Sequence, residues 1–291
     1  MGVFHAGSRA VQDRVGVREQ ADHVGRSVGR GIREIAAAFL ELQPLLVVGA
    51  AEEGRVWASP LTGAPGFVRA TGPDRVSVTG GWLPADPLAT AYATPGTPVG
   101  TIALDPRTRR RMRLNGRLTP TARGFTIEAD QVFANCPKYL QKRESYETVA
   151  DRRPGEPERT AELTSEQAEF VTAADTFFLA TVHEGGADAS HRGGNPGFVR
   201  VDSPGELSWR DYPGNSMFLT LGNLAADPRA GLLFLDWTTG TALQLTGEAH
   251  TEYGEDRRVR FRVREVIETP SALPLRWSAP EYSPANPDPA G

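Results

Sequence analysis

Residues 53–69 (EGRVWASPLTGAPGFVR) recur as residues 184–200 (EGGADASHRGGNPGFVR), displaced by 131 positions (184 − 53) with no gap. Ten of the seventeen positions are identical, where residue frequencies alone would give about one. The same displacement pairs Phe39 with Phe170, Gly100 with Gly231, Asp105 with Asp236, Leu114 with Leu245 and Gly116 with Gly247. Copies of this length are too long for solenoid repeats and fit duplicated domains. A chain of 291 residues has room for two cores of ordinary size. Such a chain folds as two like units, and its function turns on how they meet.

Composition narrows the classes. The hydrophobic fraction of 39% and charged fraction of 23% fit a soluble globular protein. A net charge of −4 gives no global basic field to recruit nucleic acid. The basic run Arg107–Arg113 (RTRRRMR), placed on alternating strand positions, is expected to line one wet face. A single cysteine, Cys136, forbids an intrachain disulfide and fits a reducing cytoplasm, the expected location. No apolar run approaches the roughly 20 residues of a membrane span. Gly, Arg, Asp and His interrupt the N-terminus, so no signal-peptide core is expected there.

Residues 1–30 read as an N-terminal helical extension, with helical stretches around Val11–Gln20. Unit one spans 31–143. Ile32–Leu42 has helical spacing and ends at Pro44. Strands are expected at Leu45–Ala50, Arg55–Ser59, Phe67–Ala70, Arg75–Thr79, Pro98–Leu104, Arg110–Leu118 and Phe125–Phe133, with Gly63–Gly66 a turn. A charged, Pro-containing linker covers 144–160. Unit two covers 161–277. It opens with Thr164–Gln167 as a helix start before Ala168–Ala174. Its strands are expected at Phe177–Val182, Phe198–Val201, Glu206–Arg210, Gly231–Asp236 and Thr241–Gly247, with a short helix at Leu224–Pro228. Residues 278–291, with Pro280, Pro284, Pro287 and Pro289, read as an extended tail. Each unit is thus a helix followed by short strands, a small antiparallel barrel in a mainly β (α+β) fold.

The most specific stretch is Ala189–Val201 (ASHRGGNPGFVRV). Gly193, Gly194 and Gly197 allow close approach of a ligand to the backbone. Ser190 and Arg192 suit an anionic oxygen, Arg through its planar fork of donors. The competing reading is a tight hairpin with a solvated arginine. In Trp209–Asn223 (WRDYPGNSMFLTLGN), Trp209 and Tyr212 offer flat surfaces for a planar ring. Asp211 and Asn215 offer hydrogen bonds to a heterocycle edge. Tyr-Pro-Gly-Asn is also a good turn in its own right, and Asn223 reads first as a helix cap.

The order SHRGGNPGFVRV, WRDYPGN, LGNLAADPRAGLLFLD and LQLTGEA resembles the FMN-binding split barrels related to pyridoxamine 5′-phosphate oxidase. It is most similar to the bacterial branch of flavin-nucleotide-binding proteins, most strongly across residues 177–250. Unit one carries the resemblance from 45 to 143. It ends in Val132–Gln141 (VFANCPKYLQ), similar to the element that closes single-unit members. The resemblance implies two tandem split antiparallel β-barrels paired as an intramolecular pseudo-dimer, with FMN in the groove between them. FAD or a deazaflavin are the alternative cofactors. Carried over residue by residue, it places Ser190, His191, Arg192, Gly193, Gly194, Asn195, Pro196, Gly197, Phe198 and Val199 along the flavin. Trp209, Arg210, Asp211, Asn215, Ser216 and Asn223 follow on the next strand and loop, and Gln244 on a late strand. Asn135, Lys138, Tyr139 and Gln141 come from the opposite barrel. Candidate catalytic residues are Lys138, Tyr139 and Cys136, and these with Trp209 are the candidate substrate contacts.

The departures from the family pattern are informative. Ser216 and Met217 follow Asn215 where single-unit relatives often carry an arginine. Unit one keeps Ser59 and Pro65–Phe67, but Pro60 and Leu61 replace His191 and Arg192. The unit-two counterpart of VFANCPK, taken as Phe261–Ile267, lacks Asn-Cys-Pro-Lys. One working groove is therefore expected, cradled by unit two and lidded by the end of unit one, with a degenerate site in unit one.

Cys136 beside Lys138 invites a nucleophile or redox reading, against plain packing at a strand end. The five histidines have no metal-ligand spacing, so no metal is expected. Three functions compete. The first is a flavin-dependent oxidoreductase acting on a small molecule, with NAD(P)H or an external reductase as donor. The second is a flavin, deazaflavin or haem carrier or sensor. The third is a relic with two dead sites. Nucleic acid and membrane are not expected partners, and the chain is expected as a monomeric pseudo-dimer or a homodimer.

Overall fold

The computed structural model describes residues 2–287. An N-terminal arm carries α1 (Ala6–Arg14) and α2 (Arg18–Gly25). Unit one then runs α3 (Glu34–Glu41), β1 (Leu45–Glu52), β2 (Arg55–Thr62), β3 (Val68–Ala70), β4 (Arg75–Thr79), α4 (Ala89–Ala93), β5 (Pro98–Asp105), β6 (Arg110–Thr121) and β7 (Gly124–Ala134). Two short strands follow, β8 (Tyr146–Thr148) and β9 (Glu158–Thr160). Unit two runs α5 (Ser165–Ala173), β10 (Thr176–His183), β11 (Gly186–Gly193), β12 (Val199–Ser203), β13 (Glu206–Arg210), α6 (Leu219–Ala226), β14 (Arg229–Leu235), β15 (Ala242–Tyr253) and β16 (Arg257–Thr269), and β17 (Leu275–Trp277) pairs with β8.

The two large sheets have one topology. Unit one orders its strands β2-β1-β5-β6-β7-β4-β3, and unit two β11-β10-β14-β15-β16-β13-β12, all antiparallel. Each sheet curls over its own core, giving two split barrels in tandem. The repeat is kept down to its irregularities. A bulge at Asn115/Gly116 in β6 recurs at Thr246/Gly247 in β15, again 131 positions on (246 − 115).

Across the hairpin that joins the last two strands of each unit the displacement changes. Asn115 pairs with Gln131, whereas Thr246 pairs with Glu265, so the last strands are related by 134 positions (265 − 131). The counterpart of Val132–Lys138 is therefore Val266–Ala272 (VIETPSA), not Phe261–Ile267 as the sequence alone suggested. Asn-Cys-Pro-Lys is still absent from unit two.

The barrels join through the faces of β1 and β2 in unit one and of β10 and β14 in unit two. Val48, Leu61, Val78 and Phe125 belong to the core of barrel one, and Phe177, Leu179, Trp209 and Phe261 to that of barrel two. The intervening residues Val47 and Ala58 meet Phe178, Ala180 and Leu233 in a third core between the barrels. Both faces of β1 and β10 are thus buried, and both read as continuous apolar runs rather than alternating ones.

The sequence reading needs four corrections. Gly186–Gly193 is a strand, because β11 is held along its whole length by β10. α6 begins at Leu219, earlier than expected, so Asn223 lies inside it instead of capping it. Arg107–Arg113 does not line one wet face: Arg113 is 6% exposed, because unit two packs across β6. The tail is seated where it is described, with Lys142 and Glu281 bridging and Ser283 N donating to Gln141 Oε1 at 2.8 Å. The tail's last four residues, including Pro289, lie outside the described residues. No helix among the described residues is long and apolar enough to cross a membrane.

Candidate functional site

A cleft of about 350 Å³ opens between the end of unit one and barrel two. Its floor is the C-terminal half of β11. Ser190 Oγ accepts from Arg192 Nη1 at 3.0 Å and from Thr220 Oγ1 at 3.2 Å. Asp188, one residue pair deeper, holds Arg113 in a buried ion pair and accepts from Asn115 Nδ2 at 3.1 Å. Arg113 belongs to unit one and Asp188 to unit two, so this pair also ties the barrels together.

Unit one contributes the opposite wall through Asn135, Cys136, Lys138 and Tyr139. This segment can lie on β11 only because Gly193 has no side chain: a Cβ there would fall 2.0 Å from Tyr139 O. Tyr139 Oη donates to Pro213 O at 3.0 Å, and its ring lies 5.1 Å from that of Tyr212. The rim continues through Arg210, paired with Asp256 at 2.8 Å, and Asp211, paired with Arg257 at 3.1 Å. Tyr139, Ser216 and Phe218 all adopt positive φ (65°, 62° and 53°). Left-handed non-glycine residues cost on the order of 1 kcal/mol each and gather where geometry is dictated by a site. Asn215 braces this loop by accepting from Met217 N at 3.1 Å.

Electrostatically the cleft is cationic and under-satisfied. Arg111 donates to His191 Nδ1 at 2.6 Å and to Cys136 O at 2.8 Å. Arg192 donates to Ser190 Oγ and His191 O. Neither guanidinium has a carboxylate within ion-pair distance among the described residues. Burial, then the neighbouring Arg192 and Arg113, lower Arg111 to about 9. Burial also lowers Arg192. Burial, reinforced by Arg111 and Arg192, drives His191 well below its ordinary value, so its ring is neutral. With Nδ1 accepting from Arg111, the proton sits on Nε2, a buried donor with no partner. Trp209 Nε1 and Asn135 Oδ1 are also buried without partners and also line the cleft. Buried polar atoms are almost always paired, and three orphans around one cleft are what a bound polar ring would satisfy.

The residues expected from sequence divide cleanly. Ser190, His191, Arg192, Gly193, Phe198, Trp209, Arg210, Asp211, Asn215, Ser216, Asn135, Cys136, Lys138 and Tyr139 line the cleft. Trp209 is 1% exposed and is otherwise core, its ring packing at 5.0 Å against Phe177 in barrel two. Others lie elsewhere. Gly194 packs beneath Phe198, Gly197 (φ 88°) shapes the turn, and Pro196 stands between them in that turn. Val199 is core, and Asn195 Oδ1 accepts from Asn286 Nδ2 at 2.9 Å. Gln141 clamps backbone by donating to Asp175 O and Gly194 O. Asn223 Nδ2 donates to Thr181 Oγ1 at 2.9 Å. Gln244 faces the other unit, donating to Ala58 O and Ser59 Oγ at 2.9 Å each. Sequence reasoning missed Arg111, Arg113, Arg257 and Thr220, and also Val15 and Val17, which reach the cleft from the arm.

The corresponding place in unit one is filled. Ser59 Oγ donates to Asp86 Oδ1 at 2.7 Å, Leu88 N donates to the same oxygen at 2.8 Å, and the buried Leu83, Leu88 and Tyr92 close around them. Burial raises the Asp86 carboxyl to about 6.

Residues 163–286 match the family model described as pyridoxamine 5′-phosphate oxidase. No curated protein matches the chain. Among solved structures, HupZ of Group A Streptococcus is 12% identical, covering 38% of this chain and 97% of its own, with a TM-score of 0.32. A FAD-binding protein from Mesorhizobium loti is 13% identical, with coverages of 39% and 97% and a TM-score of 0.29. The FAD-binding protein of Mycobacterium smegmatis is 12% identical, with coverages of 39% and 98% and a TM-score of 0.28. The family match thus falls on residues 163–286, the second barrel, which is similar to the pyridoxamine 5′-phosphate oxidase family.

Proposed function

We propose that the cleft between barrel two and the end of unit one binds a flavin, FMN in the first instance, and that the protein is an oxidoreductase of the pyridoxamine 5′-phosphate oxidase-like type acting on a small molecule. The observation that carries this is the set of unsatisfied groups on the cleft. Among the described residues, Arg111 and Arg192 lack carboxylate partners, and Asn135 Oδ1, His191 Nε2 and Trp209 Nε1 lack any. The donor set fits the group: guanidiniums for a phosphate, and one acceptor with two donors for the edge of a polar ring.

In this reading Arg192, positioned by its hydrogen bond to Ser190 Oγ, holds the anionic end, and Arg111 orients His191 so that its Nε2–H points at the ligand. Tyr139, hydrogen-bonded to Pro213 O, holds the two walls together over it. A flavin, when bound, would supply the hydride or electron chemistry. Burial moves His191 down and Tyr139 and Tyr212 up, away from proton exchange near neutral pH. The side chains therefore bind and position more than they transfer protons. The same observation favours a second reading, a flavin, deazaflavin or haem carrier without turnover.

Absorbance of the purified protein, followed by titration with FMN, FAD and a deazaflavin, tests the binding. A colourless protein that binds none of them refutes it. Anaerobic bleaching by NADH or NADPH with recovery in air supports the oxidoreductase; a bound flavin inert to both supports the carrier.

A further inference from the structure

The cleft has a third wall that neither barrel supplies. The N-terminal arm is rooted at both ends on β7 of unit one. Gln131 Nε2 donates to Val3 O at 3.0 Å, and Gly29 and Val132 exchange backbone hydrogen bonds of 3.2 and 2.6 Å. Between these roots the arm crosses to unit two. There α1 lies backbone to backbone on α6: a Cβ on Gly7 would fall 2.2 Å from Gly222 O, and one on Gly222 2.4 Å from Ser8 Cα. Val11 enters the core of barrel two, and Gln12 Nε2 donates to Met217 O at 2.8 Å. His5 caps α1 by accepting from Gly7 N, and its other ring nitrogen bonds Asn223 Oδ1 at 2.8 Å. The Arg14 guanidinium lies 3.8 Å over the Tyr253 ring. The turn that follows, with Gly16 at φ 71°, sets Val15 and Val17 over the cleft.

The arm lies outside the repeat, since α3 of unit one already corresponds to α5 of unit two (165 − 34 = 131). It is an addition that covers the cleft of unit two. We propose that the arm is a lid, and that Val15 and Val17 are specificity-determining residues which limit what the cleft admits. The identity of the occupant rests on the flavin reading; the lid itself does not.

Two observations shape the expected specificity. At about 350 Å³ the covered cleft is at the small end of the range for ligand pockets. With the arm seated it has room for one ligand of mononucleotide size. A dinucleotide flavin, or a bulky substrate beside the flavin, needs the arm raised. The deep end is cationic through Arg111 and Arg192, whereas the arm presents only valine side chains. The substrate that fits is small and turns an apolar or uncharged face outward. The arm is held by one close helix crossing, the single core side chain Val11, the Arg14–Tyr253 contact and a few hydrogen bonds, the kind of unit that opens without global unfolding.

Hydrogen exchange on the full chain tests the lid without any flavin. In Gly7→Ala, whose new methyl cannot fit against Gly222, and in Gln12→Ala, which removes the bond to Met217, amides 219–222 should exchange at least tenfold faster. Those of β6 should be unchanged. Unaltered exchange at 219–222 in both variants would overturn the lid. Fluorescence titration with FMN and FAD tests the specificity. The double variant Val15→Ala/Val17→Ala should shift the FAD-to-FMN affinity ratio at least tenfold toward FAD while leaving exchange at 219–222 as in the wild type. An unchanged ratio overturns the role of the valines. If the wild type binds neither flavin, the flavin reading and the specificity role fall together, and the exchange result alone decides the lid.

Discussion

Gly49 and Ala180 are equivalent positions of the two units, 131 residues apart (180 − 49), and they touch. A Cβ on Gly49 would lie 2.6 Å from the Cβ of Ala180. Two copies of one position can meet only on the axis that relates them, so this contact marks the pseudo-twofold of the chain. The flanking contacts obey the same symmetry. Gly100 packs against Asp188 Cα, and its counterpart Gly231 against Trp57 Cα, where Trp57 and Asp188 are again 131 apart (188 − 57).

The axis makes a first prediction. Gly49→Ala places two methyls in the space of one and should destabilise the protein by about 1–3 kcal/mol, the usual cost of overpacking. Ala180→Gly in the same chain removes the clash. Urea denaturation of both single variants and the double should therefore show strong coupling, with the double variant close to wild type. Additive effects would mean that the two positions do not meet.

The second prediction concerns the two guanidiniums without carboxylate partners. Arg192→Ala and Arg111→Ala should each weaken FMN binding at least tenfold by fluorescence titration. Arg69→Ala should leave it unchanged, because Arg69 is 62% exposed, pairs with Glu41 and does not line the cleft. The effect of Arg192→Ala should shrink in 1 M salt, since ionic interactions are screened. Equal losses from Arg192→Ala and Arg69→Ala would refute a single working cleft.

Much of this arrangement was legible in the chain, and the failures share one cause. The repeat gave the two barrels, and the divergence at Pro60–Leu61 against His191–Arg192 pointed to the cleft of unit two. Arg111 and Arg113 were assigned to water because a strand read within its own unit shows only its own two faces. Packing of unit two across β6 is invisible at that level. Gln244 was placed in the wrong groove for the same reason. It is the counterpart of Arg113 (244 − 131), and each reaches into the opposite unit: Arg113 to Asp188, and Gln244 to Ser59. Applying the displacement to Gln244 would have singled out Arg113 from sequence. Nothing in the periodicity of residues 11–17 could have placed Val15 and Val17 over a cleft that closes only in three dimensions.

The third prediction follows from the filled place in unit one. Burial raises Asp86 from its ordinary 3.8 to about 6. The folded state therefore holds this proton more tightly than the unfolded chain. The resulting stabilisation is present below pH 3.8 and is lost as pH rises through about 6. A shift of this size corresponds to roughly 3 kcal/mol. Asp86→Asn keeps an acceptor for Ser59 Oγ and Leu88 N without the charge. It should be more stable than wild type at pH 8 and lose that advantage near pH 4, as followed by urea midpoints. A variant no more stable than wild type at pH 8 would show that the carboxylate is not strained by its burial.

The last prediction isolates the seam between the units. Gly193 is the place where the end of unit one lies directly on β11, and a Cβ there would fall 2.0 Å from Tyr139 O. That atom is backbone and cannot rotate away. Gly193→Ala must displace the Cys136–Tyr139 segment, and with it the hydrogen bond from Tyr139 Oη to Pro213 O. The cores of both barrels lie elsewhere, so the variant should fold with a modest loss of thermal stability. FMN affinity should fall at least tenfold. Tyr139→Phe removes the hydrogen bond but leaves the backbone in place, so it should weaken binding less. If Tyr139→Phe costs as much as Gly193→Ala, the hydrogen bond to Pro213 outweighs the backbone contact in holding the two walls together.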